Sequence, residues 1–229
     1  MKIPATPEGV AAIEETIASG ISVNATLIFS SERHEAVMEA YTRGLERATA
    51  HGLDVAQIHS VASVFISRVD SEVDARLATL GRKDLSGRAG VANALTVFDQ
   101  YEHFFSSSRF AALAARGANR QRPLWASTGT KNPDYPDTLY VSDLVAEGVV
   151  NTMPEKTLRA FADHGDVHST IEGRGAEGAA VLAEIARAGV DLAEVFSTLE
   201  ENGVKSFLAS WDDLVGSLET SMDLPRGKD

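Results

Sequence analysis

The opening stretch "MKIPATPEGVAAIEETIASGISVNATLIFS" (residues 1–30) decides the fold, because it contains a strand end, a helix and a second strand in succession. Lys2 lies in what is predicted to be the end of a short strand. Thr6 is a favourable N-cap, and Pro7 suits the first turn of a helix. The β-branched and apolar run at 21–29 predicts the next strand. The stretch is therefore typical of a β–α–β unit, in which a helix joins two parallel strands.

The same alternation of short apolar runs with longer amphipathic runs continues along the chain and predicts a parallel sheet. The predicted strands cover residues 1–5, 21–28, 60–67, 122–127 and 148–153. Helical patterns separate them. At the end of the chain, residues 173–220 are predicted to be a C-terminal helical extension of two or three helices, with turns near Gly189 and Gly203.

Five βα units fit two architectures. One is an open doubly wound sheet, and the other is part of a TIM (β/α)8-type barrel, which has eight strands and about 250 residues in its complete form. Because this chain of 229 residues opens at the end of a strand, we favour an α/β fold that is the C-terminal part of a barrel, strands 4 to 8, followed by C-terminal helices. Residues 1–229 then form a single partial-barrel domain.

A partial barrel has two exposed sheet edges, here at the Lys2 strand and at the strand around Val150, and such edges pair with other chains. The chain is therefore predicted to be either a homo-oligomer paired through these edges or a loosely packed, aggregation-prone monomer. Inner-face residues such as Val23, Ile66 and Leu124 are expected to remain partly in water, because the opposite barrel wall is missing.

The composition argues against several classes of protein. A net charge of −12 disfavours the binding of nucleic acid. The chain has no cysteine, which removes disulfides, thiol nucleophiles and Cys-bound zinc. No run of about 18 apolar residues predicts a membrane span, and no signal-peptide pattern is present. We expect a cytoplasmic protein that binds neither nucleic acid nor a membrane.

Five motifs in a fixed order carry a resemblance to a known family: "KIPATPEG", "GISVNATLIFS", "SVASVFISRVDSEVD", "QRPLWASTGTKNPDYPDTLYV" and "VVNTMPEKTL". They resemble the transaldolase family, in the branch found in many bacteria, from residue 1 to about residue 215. The resemblance implies that "KIPAT" lies on the fourth barrel strand and that this chain lacks the three N-terminal βα units of a full one. It also implies a transferase of the pentose phosphate pathway that needs no cofactor and no metal.

The implied reaction moves a dihydroxyacetone unit from sedoheptulose 7-phosphate to glyceraldehyde 3-phosphate through a Schiff base on Lys2. A lysine amine can attack a ketose carbonyl, and the resulting iminium withdraws electrons from the neighbouring carbon–carbon bond. Asn24 and Thr26 alternate with apolar residues, so both face one side of their strand, where polar groups need partners. The resemblance implies that Asn24 binds the substrate and that Thr26 holds a proton-relaying water.

Sugar phosphates are the implied partners, and the loop "ASTGTKN" (126–132) is their predicted phosphate site. Its hydroxyls, backbone N–H groups and lysine suit an oxyanion. The family has an arginine where this chain has Gly129, which leaves open whether Lys131 or Arg68 supplies the main positive charge. The substrate-binding residues implied by the resemblance are Asn24, Ser67, Arg68, Ser127, Thr128 and Lys131.

Other polar clusters are assigned no site. The run "DHGDVH" (163–168) has metal-ligand residue types but is interpreted as a helix end, and Asp70 as part of an acidic first helical turn with no further role. The run "DYPDTLY" (134–140) fits either a lid or a rigid turn. The histidines within helical patterns are predicted to be solvated: His34, His51 and His103.

Two other functions stay open. Lys2 at an open sheet edge would remain hydrated, which makes it a poor nucleophile, so the activity of this chain alone is not assured. The first alternative is therefore a non-catalytic partial barrel that binds sugar phosphate and oligomerises. The second is a class I aldolase-type lyase, which releases the three-carbon unit to water instead of to an acceptor sugar.

Overall fold

A computed structural model describes residues 1–167 and 170–223 of the chain. Its strands are β1 (Lys2–Pro4), β2 (Val23–Ile28), β3 (Ser60–Phe65), β4 (Arg122–Ala126) and β5 (Val150–Asn151). Its α-helices are α1 (Pro7–Ala18), α2 (Ser31–Ala50), α3 (Ser67–Thr79), α4 (Ala89–Phe105), α5 (Ser108–Ala114), α6 (Leu139–Ser142), α7 (Glu155–His164), α8 (Gly175–Arg187) and α9 (Leu192–Asp223). Short 3-10 helices lie at Val55–Gln57 and Lys83–Leu85. The five predicted strands are confirmed, and each is shorter than predicted.

The five strands form one parallel sheet in the order β1-β2-β3-β4-β5. A doubly wound sheet reverses its strand order at a switch point. No reversal occurs among the described strands, so the doubly wound alternative is wrong for this part of the chain. Sequential order is the arrangement of neighbouring strands in a barrel wall.

The joint between β1 and α1 follows the predicted pattern. Thr6 is the N-cap of α1, and its side-chain hydroxyl accepts a hydrogen bond from the Gly9 N–H at 3.1 Å. Because the cap fixes the start of the helix, β1 ends at Pro4. The strand therefore continues two residues beyond Lys2, and the prediction that Lys2 and Ile3 are its last residues is wrong by one residue.

Two apolar layers cover the sheet. One packs Val23 and Ile66 among side chains of α1, α2, α4 and α5, and the other packs Leu124 with side chains of α3, α8 and α9. These three residues are only 2%, 0% and 8% exposed, respectively. The expectation that they remain partly in water is wrong. Val23 and Ile66 pack in the first layer, and Leu124 packs in the second layer, to which α8 and α9 contribute.

The C-terminal extension contains two helices, and the predicted turn near Gly203 is wrong. Gly203 lies inside α9, where an added Cβ would be 2.8 Å from Cδ2 of Leu27. The glycine therefore permits close contact between α9 and β2. Beyond this contact, the apolar side chains of α9 form an exposed stripe, the α9 stripe: Phe207, Leu208, Trp211, Leu214, Leu218 and Met222.

His34 is fully buried, which overturns the prediction that it is solvated. It continues the buried face of α2 through Met38 and Tyr41, at helical spacing. Neither ring nitrogen has a hydrogen-bond partner within the described residues. Burial disfavours the charged imidazolium and lowers the pKa of His34 to about 4. His51 and His103 are exposed, as predicted.

No helix among the described residues is long and apolar enough to cross a membrane.

His34 should make folding stability depend on pH. In the unfolded chain its pKa is about 6.5, so protons favour the unfolded state as the pH falls below that value. The stabilisation that comes from keeping His34 neutral and buried is complete above pH 6.5 and is lost progressively towards pH 4. We expect the His34 contribution to the free energy of unfolding to fall by about 2 kcal/mol between pH 7.5 and pH 5.

Urea unfolding at both pH values would measure this loss. His34→Leu should remove the His34 part of it, and His103→Leu is the matched loss of an imidazole at an exposed position. An equal pH dependence in the wild type and His34→Leu would contradict the assignment.

Candidate active site

Polar side chains from three neighbouring strands lie on the sheet face covered by α9. The parallel register places Lys2 directly opposite Asn24, and the alternation of side chains puts Thr26 on the same face. The Asn24 Oδ1 accepts a hydrogen bond from the Ser63 Oγ at 2.7 Å. The structure therefore brings Lys2 and Asn24, two of the predicted site residues, together and adds Ser63. Its signal was available, because Ser63 is the polar residue on one face of the run "SVASVF".

Thr26 is the unusual member of this group. It is 0% exposed, and its hydroxyl has no hydrogen-bond partner within the described residues. Leu27, the next residue, has a φ of 62°, and the β2–β3 register shifts between Ala25 and Ile28. A left-handed leucine and a buried hydroxyl without a partner each cost roughly 1–3 kcal/mol. Costs of this kind are concentrated at functional sites.

Lys2 itself is exposed. Its ammonium nitrogen lies 5.6 Å from the centroid of the Phe207 ring, within the range of a cation–π contact. This contact connects α9 to β1, and nothing in the sequence pattern indicated it. Lys2 is thus open to solvent on one side and bounded by an aromatic ring on the other.

A second group lies at the ends of β3 and β4. The Ser67 and Ser127 hydroxyl oxygens are 2.9 Å apart, and the Ser67 N–H donates to the Ser127 carbonyl at 2.9 Å. Ser127 has a φ of 55°, again left-handed for a residue other than glycine. Ser67 begins α3 rather than ending a strand as predicted, because β3 stops at Phe65. The two predicted serines nevertheless form one pair of hydroxyls.

Thr128 is held by the next strand. It is fully buried, and its Oγ1 donates to the Asn151 Oδ1 at 2.7 Å. The Asn151 Nδ2 in turn donates to the Tyr140 carbonyl at 3.1 Å. The Thr128 hydroxyl therefore ties its loop to β5. Sequence reasoning did not select Asn151, although the motif "VVNTMP" contains it.

The two predicted cations occupy different surroundings. The Arg68 guanidinium carbon lies 4.8 Å from the centroid of the Phe65 ring. Arg68 directly follows Ser67, a member of the serine pair. Lys131 is exposed and lines a cavity of about 270 Å³ together with Asp74 and Tyr135. Arg68 is therefore beside the paired hydroxyls along the chain, whereas Lys131 lies near carboxylates.

Asp70 has a structural role that the sequence analysis denied it. It is 1% exposed, its Oδ1 accepts the Gly90 N–H at 2.7 Å, and its Oδ2 accepts the Tyr140 hydroxyl at 2.7 Å. Burial raises the pKa of Asp70, and the two hydrogen bonds oppose that rise. The Tyr140 contact favours a rigid turn over a lid for the run "DYPDTLY".

The run "DHGDVH" is described only in part, because His168 lies outside the described residues. The His164 ring contacts Asp137 at 3.0 Å and Asp163 at 3.2 Å, and these carboxylates raise its pKa. Among residues 1–167 and 170–223, no three His, Asp or Glu side chains are grouped so that they could hold a metal ion.

Comparisons with known proteins agree with the motifs. Residues 1–218 match the family described as Transaldolase/Fructose-6-phosphate aldolase. A transaldolase of Mycolicibacterium smegmatis is 54% identical over 97% of this chain. The Transaldolase 1 proteins of Streptomyces avermitilis and Streptomyces coelicolor are each 55% identical, over 100% and 97% of this chain.

The chain spans 60–61% of the length of these three relatives. The expectation that βα units precede residue 1 stays a prediction.

The Thr26 hydroxyl yields a stability prediction with a matched control. Thr26→Val keeps the shape of the side chain and removes a hydroxyl that bonds to no other group among the described residues, so we expect the free energy of unfolding to change by less than about 1 kcal/mol. Thr128→Val makes the same change at an equally buried hydroxyl that has a partner. It should lower the free energy of unfolding by about 1–3 kcal/mol, because the Asn151 Oδ1 loses its donor.

Urea unfolding of the two variants beside the wild type measures both effects. A loss of stability in Thr26→Val as large as that in Thr128→Val would show that another residue of the folded protein depends on the Thr26 hydroxyl.

Proposed function

The chain belongs to the transaldolase/fructose-6-phosphate aldolase family. We propose that its sheet carries the active site of a transaldolase, which transfers a three-carbon unit from one sugar phosphate to another. The observation that carries the proposal is the register of β1 and β2, which puts Lys2 beside Asn24. The Thr26 hydroxyl, which has no partner among the described residues, lies on the same face. Sugar phosphates of the pentose phosphate pathway are the proposed substrates, and the cytoplasm is the proposed location.

In the first half of the proposed reaction, the Lys2 amine adds to the C2 carbonyl of a ketose phosphate, and water leaves to give an iminium ion. A base removes the proton of the C4 hydroxyl, the C3–C4 bond breaks, and an aldose phosphate departs. The electron pair of that bond forms an enamine and neutralises the iminium nitrogen. Thr26 is proposed to hold the water that carries protons in these steps.

In the second half, C3 of the enamine attacks the aldehyde carbon of an acceptor aldose phosphate. The new alkoxide takes up a proton, and water hydrolyses the restored iminium, which frees the product ketose and Lys2. Asn24, held by Ser63, is positioned to hydrogen-bond the bound three-carbon unit. The phosphate is proposed to lie against the Ser67–Ser127 pair, with Arg68 and Lys131 as the candidate cations.

An aldolase-type lyase shares the first half and differs in the second, because the enamine is protonated and the three-carbon unit is released. The family description names both activities. The acceptor dependence of the product separates them: a transferase needs an aldose phosphate to turn over, whereas a lyase does not.

Borohydride trapping tests the Schiff base in the chain as it is. After incubation with sedoheptulose 7-phosphate, reduction of the iminium should leave a stable adduct on Lys2. A three-carbon adduct would show that the bond was cleaved, and an adduct of the whole ketose would show imine formation alone. Fragmentation of the first peptide must separate the Lys2 side chain from the Met1 amine, which lies close by and donates to the Ser22 carbonyl.

Two variants sharpen this trapping experiment. Lys2→Arg should abolish the adduct, and Lys83→Arg, at a lysine outside the site, should leave it unchanged. Lys131→Ala should raise the half-saturating concentration of sedoheptulose 7-phosphate by about tenfold without lowering the plateau, because it removes ground-state binding. An adduct that persists in Lys2→Arg would overturn the assignment.

A second proposal is that two copies associate, as the sheet edges led us to predict. β1 and β5 each have a neighbour on one side only among the described strands. Both are short, and Pro4 has no N–H to donate, so the edges alone offer few hydrogen bonds. The α9 stripe adjoins β1 through the Lys2–Phe207 contact and would supply most of the buried apolar surface.

Sedimentation velocity over a range of concentrations tests this association. The wild type should shift from monomer to dimer or higher, whereas Trp211→Glu should remain monomeric because it places a charge in the middle of the α9 stripe. Leu80→Glu changes an exposed leucine outside that stripe and should behave as the wild type. A wild type that stays monomeric at every concentration would refute association.

A further inference from the structure

Two carboxylates one turn apart on α3 each accept a tyrosine hydroxyl from the same segment. Tyr140 donates to the Asp70 Oδ2 at 2.7 Å, and Tyr135 donates to the Asp74 Oδ2 at 2.6 Å. Both tyrosines follow the loop that begins at Ser127. α3 is therefore fastened to that loop by two side-chain contacts.

The same carboxylates are fixed from a second side. The other oxygen of Asp70 accepts the Gly90 N–H at 2.7 Å, and that of Asp74 accepts the Gly87 N–H at 2.9 Å. Both donors are glycines for a steric reason. A Cβ at Gly90 would lie 2.8 Å from the Asp70 Oδ2, and one at Gly87 would lie 2.7 Å from the Tyr135 ring. The carboxylates thus have little freedom to move away from the tyrosines.

Hydrogen bonds continue from Tyr140 back to the paired serines. The Tyr140 carbonyl accepts from Asn151, whose Oδ1 accepts from the Thr128 hydroxyl. Thr128 directly follows Ser127, which contacts Ser67 at the start of α3. A series of contacts therefore runs from Asp70 on α3 through Tyr140, Asn151 and Thr128 to Ser127, and Ser127 contacts Ser67 on the same helix.

We propose that Asp70 and Tyr140 are positioning residues that hold Ser127 against Ser67. Ser127 is in a left-handed conformation, and a residue other than glycine keeps such a conformation only where its surroundings over-determine it. Asp70, Tyr140 and Thr128 are 1%, 1% and 0% exposed, so water does not compete for their hydrogen bonds. The Tyr135 pair is half-buried and acts as a second, weaker tie.

The ligand class rests on the proposed function, since a pair of serine hydroxyls beside Arg68 suits the phosphate of a sugar phosphate. The positioning itself does not depend on it, because the hydrogen bonds that hold Ser127 exist without any ligand. Two separate readouts can therefore test the positioning and the ligand.

Amide hydrogen exchange followed by NMR measures the positioning. The Ser67 N–H donates to the Ser127 carbonyl, and the adjacent Ile66 N–H donates to the carbonyl of Ala126, the last residue of β4. In Tyr140→Phe, the Ser67 amide should exchange at least tenfold faster, whereas the Ile66 amide should keep its wild-type rate. Tyr135→Phe, the matched loss of a hydroxyl, should change the Ser67 rate less.

A merely structural role predicts a different pattern. If Tyr140→Phe lowers global stability only, the Ser67 and Ile66 amides speed up by the same factor, and that result overturns the proposal, as does an unchanged Ser67 rate. Asp70→Ala should reproduce the selective effect. Asp70→Asn should keep the wild-type rate, because its Oδ1 can accept the Gly90 N–H while its Nδ2 donates to the Tyr140 hydroxyl oxygen.

Titration with inorganic phosphate supplies the second readout. We expect Tyr140→Phe to weaken phosphate binding by about tenfold and Tyr135→Phe to weaken it less. A wild type that does not bind phosphate, together with a selective Ser67 effect, would refute the proposed anion site and support the positioning role. Unchanged phosphate affinity in Tyr140→Phe, together with equal exchange at both amides, would refute the positioning role.

Discussion

Parallel hydrogen bonds between β1 and β2 fix the relation on which the candidate site depends. The Asn24 N–H donates to the Met1 carbonyl and the Ala5 N–H donates to the Thr26 carbonyl, so the short first strand has one register. That register, with the alternation of side chains along a strand, puts Lys2, Asn24 and Thr26 on a common face. A slip of one residue would turn the lysine to the opposite face, which α1, α2, α4 and α5 cover.

Local pattern was enough to find the strands, whereas the candidate residues came from the motifs that resemble the transaldolase family. The N-cap at Thr6 was correctly predicted, but the strand before it continues to Pro4, so Lys2 lies two residues before the strand's end. The turn near Gly203 was wrongly predicted, because a glycine that permits close packing and a glycine that makes a turn look alike in sequence. His34 continues an apolar stripe, yet a single histidine in a helix carries no sign of burial.

What the sequence could not supply were partners distant along the chain. Ser63 contacts Asn24 across 39 residues, and Tyr140 contacts Asp70 across 70 residues. No local spacing encodes such contacts, because they arise when parallel strands pair with one another and bring the segments that follow them to the same edge of the sheet. The sequence alone therefore selected residues of the 126–132 loop. It could not select Asp70 and Tyr140, which hold that loop, because their contact depends on the topology.

The central claim is that Lys2 and the Ser67–Ser127 pair serve one substrate. A crystal structure of the chain, reduced with borohydride in the presence of 4-deoxyfructose 6-phosphate, tests it most directly, because this ketose lacks the C4 hydroxyl that cleavage requires and keeps its phosphate. We expect electron density that is continuous from the Lys2 Nζ to C2 of the sugar, with the phosphate against the two serine hydroxyls. A sugar bonded to another amine, or a phosphate bound away from Ser67 and Ser127, would contradict the claim.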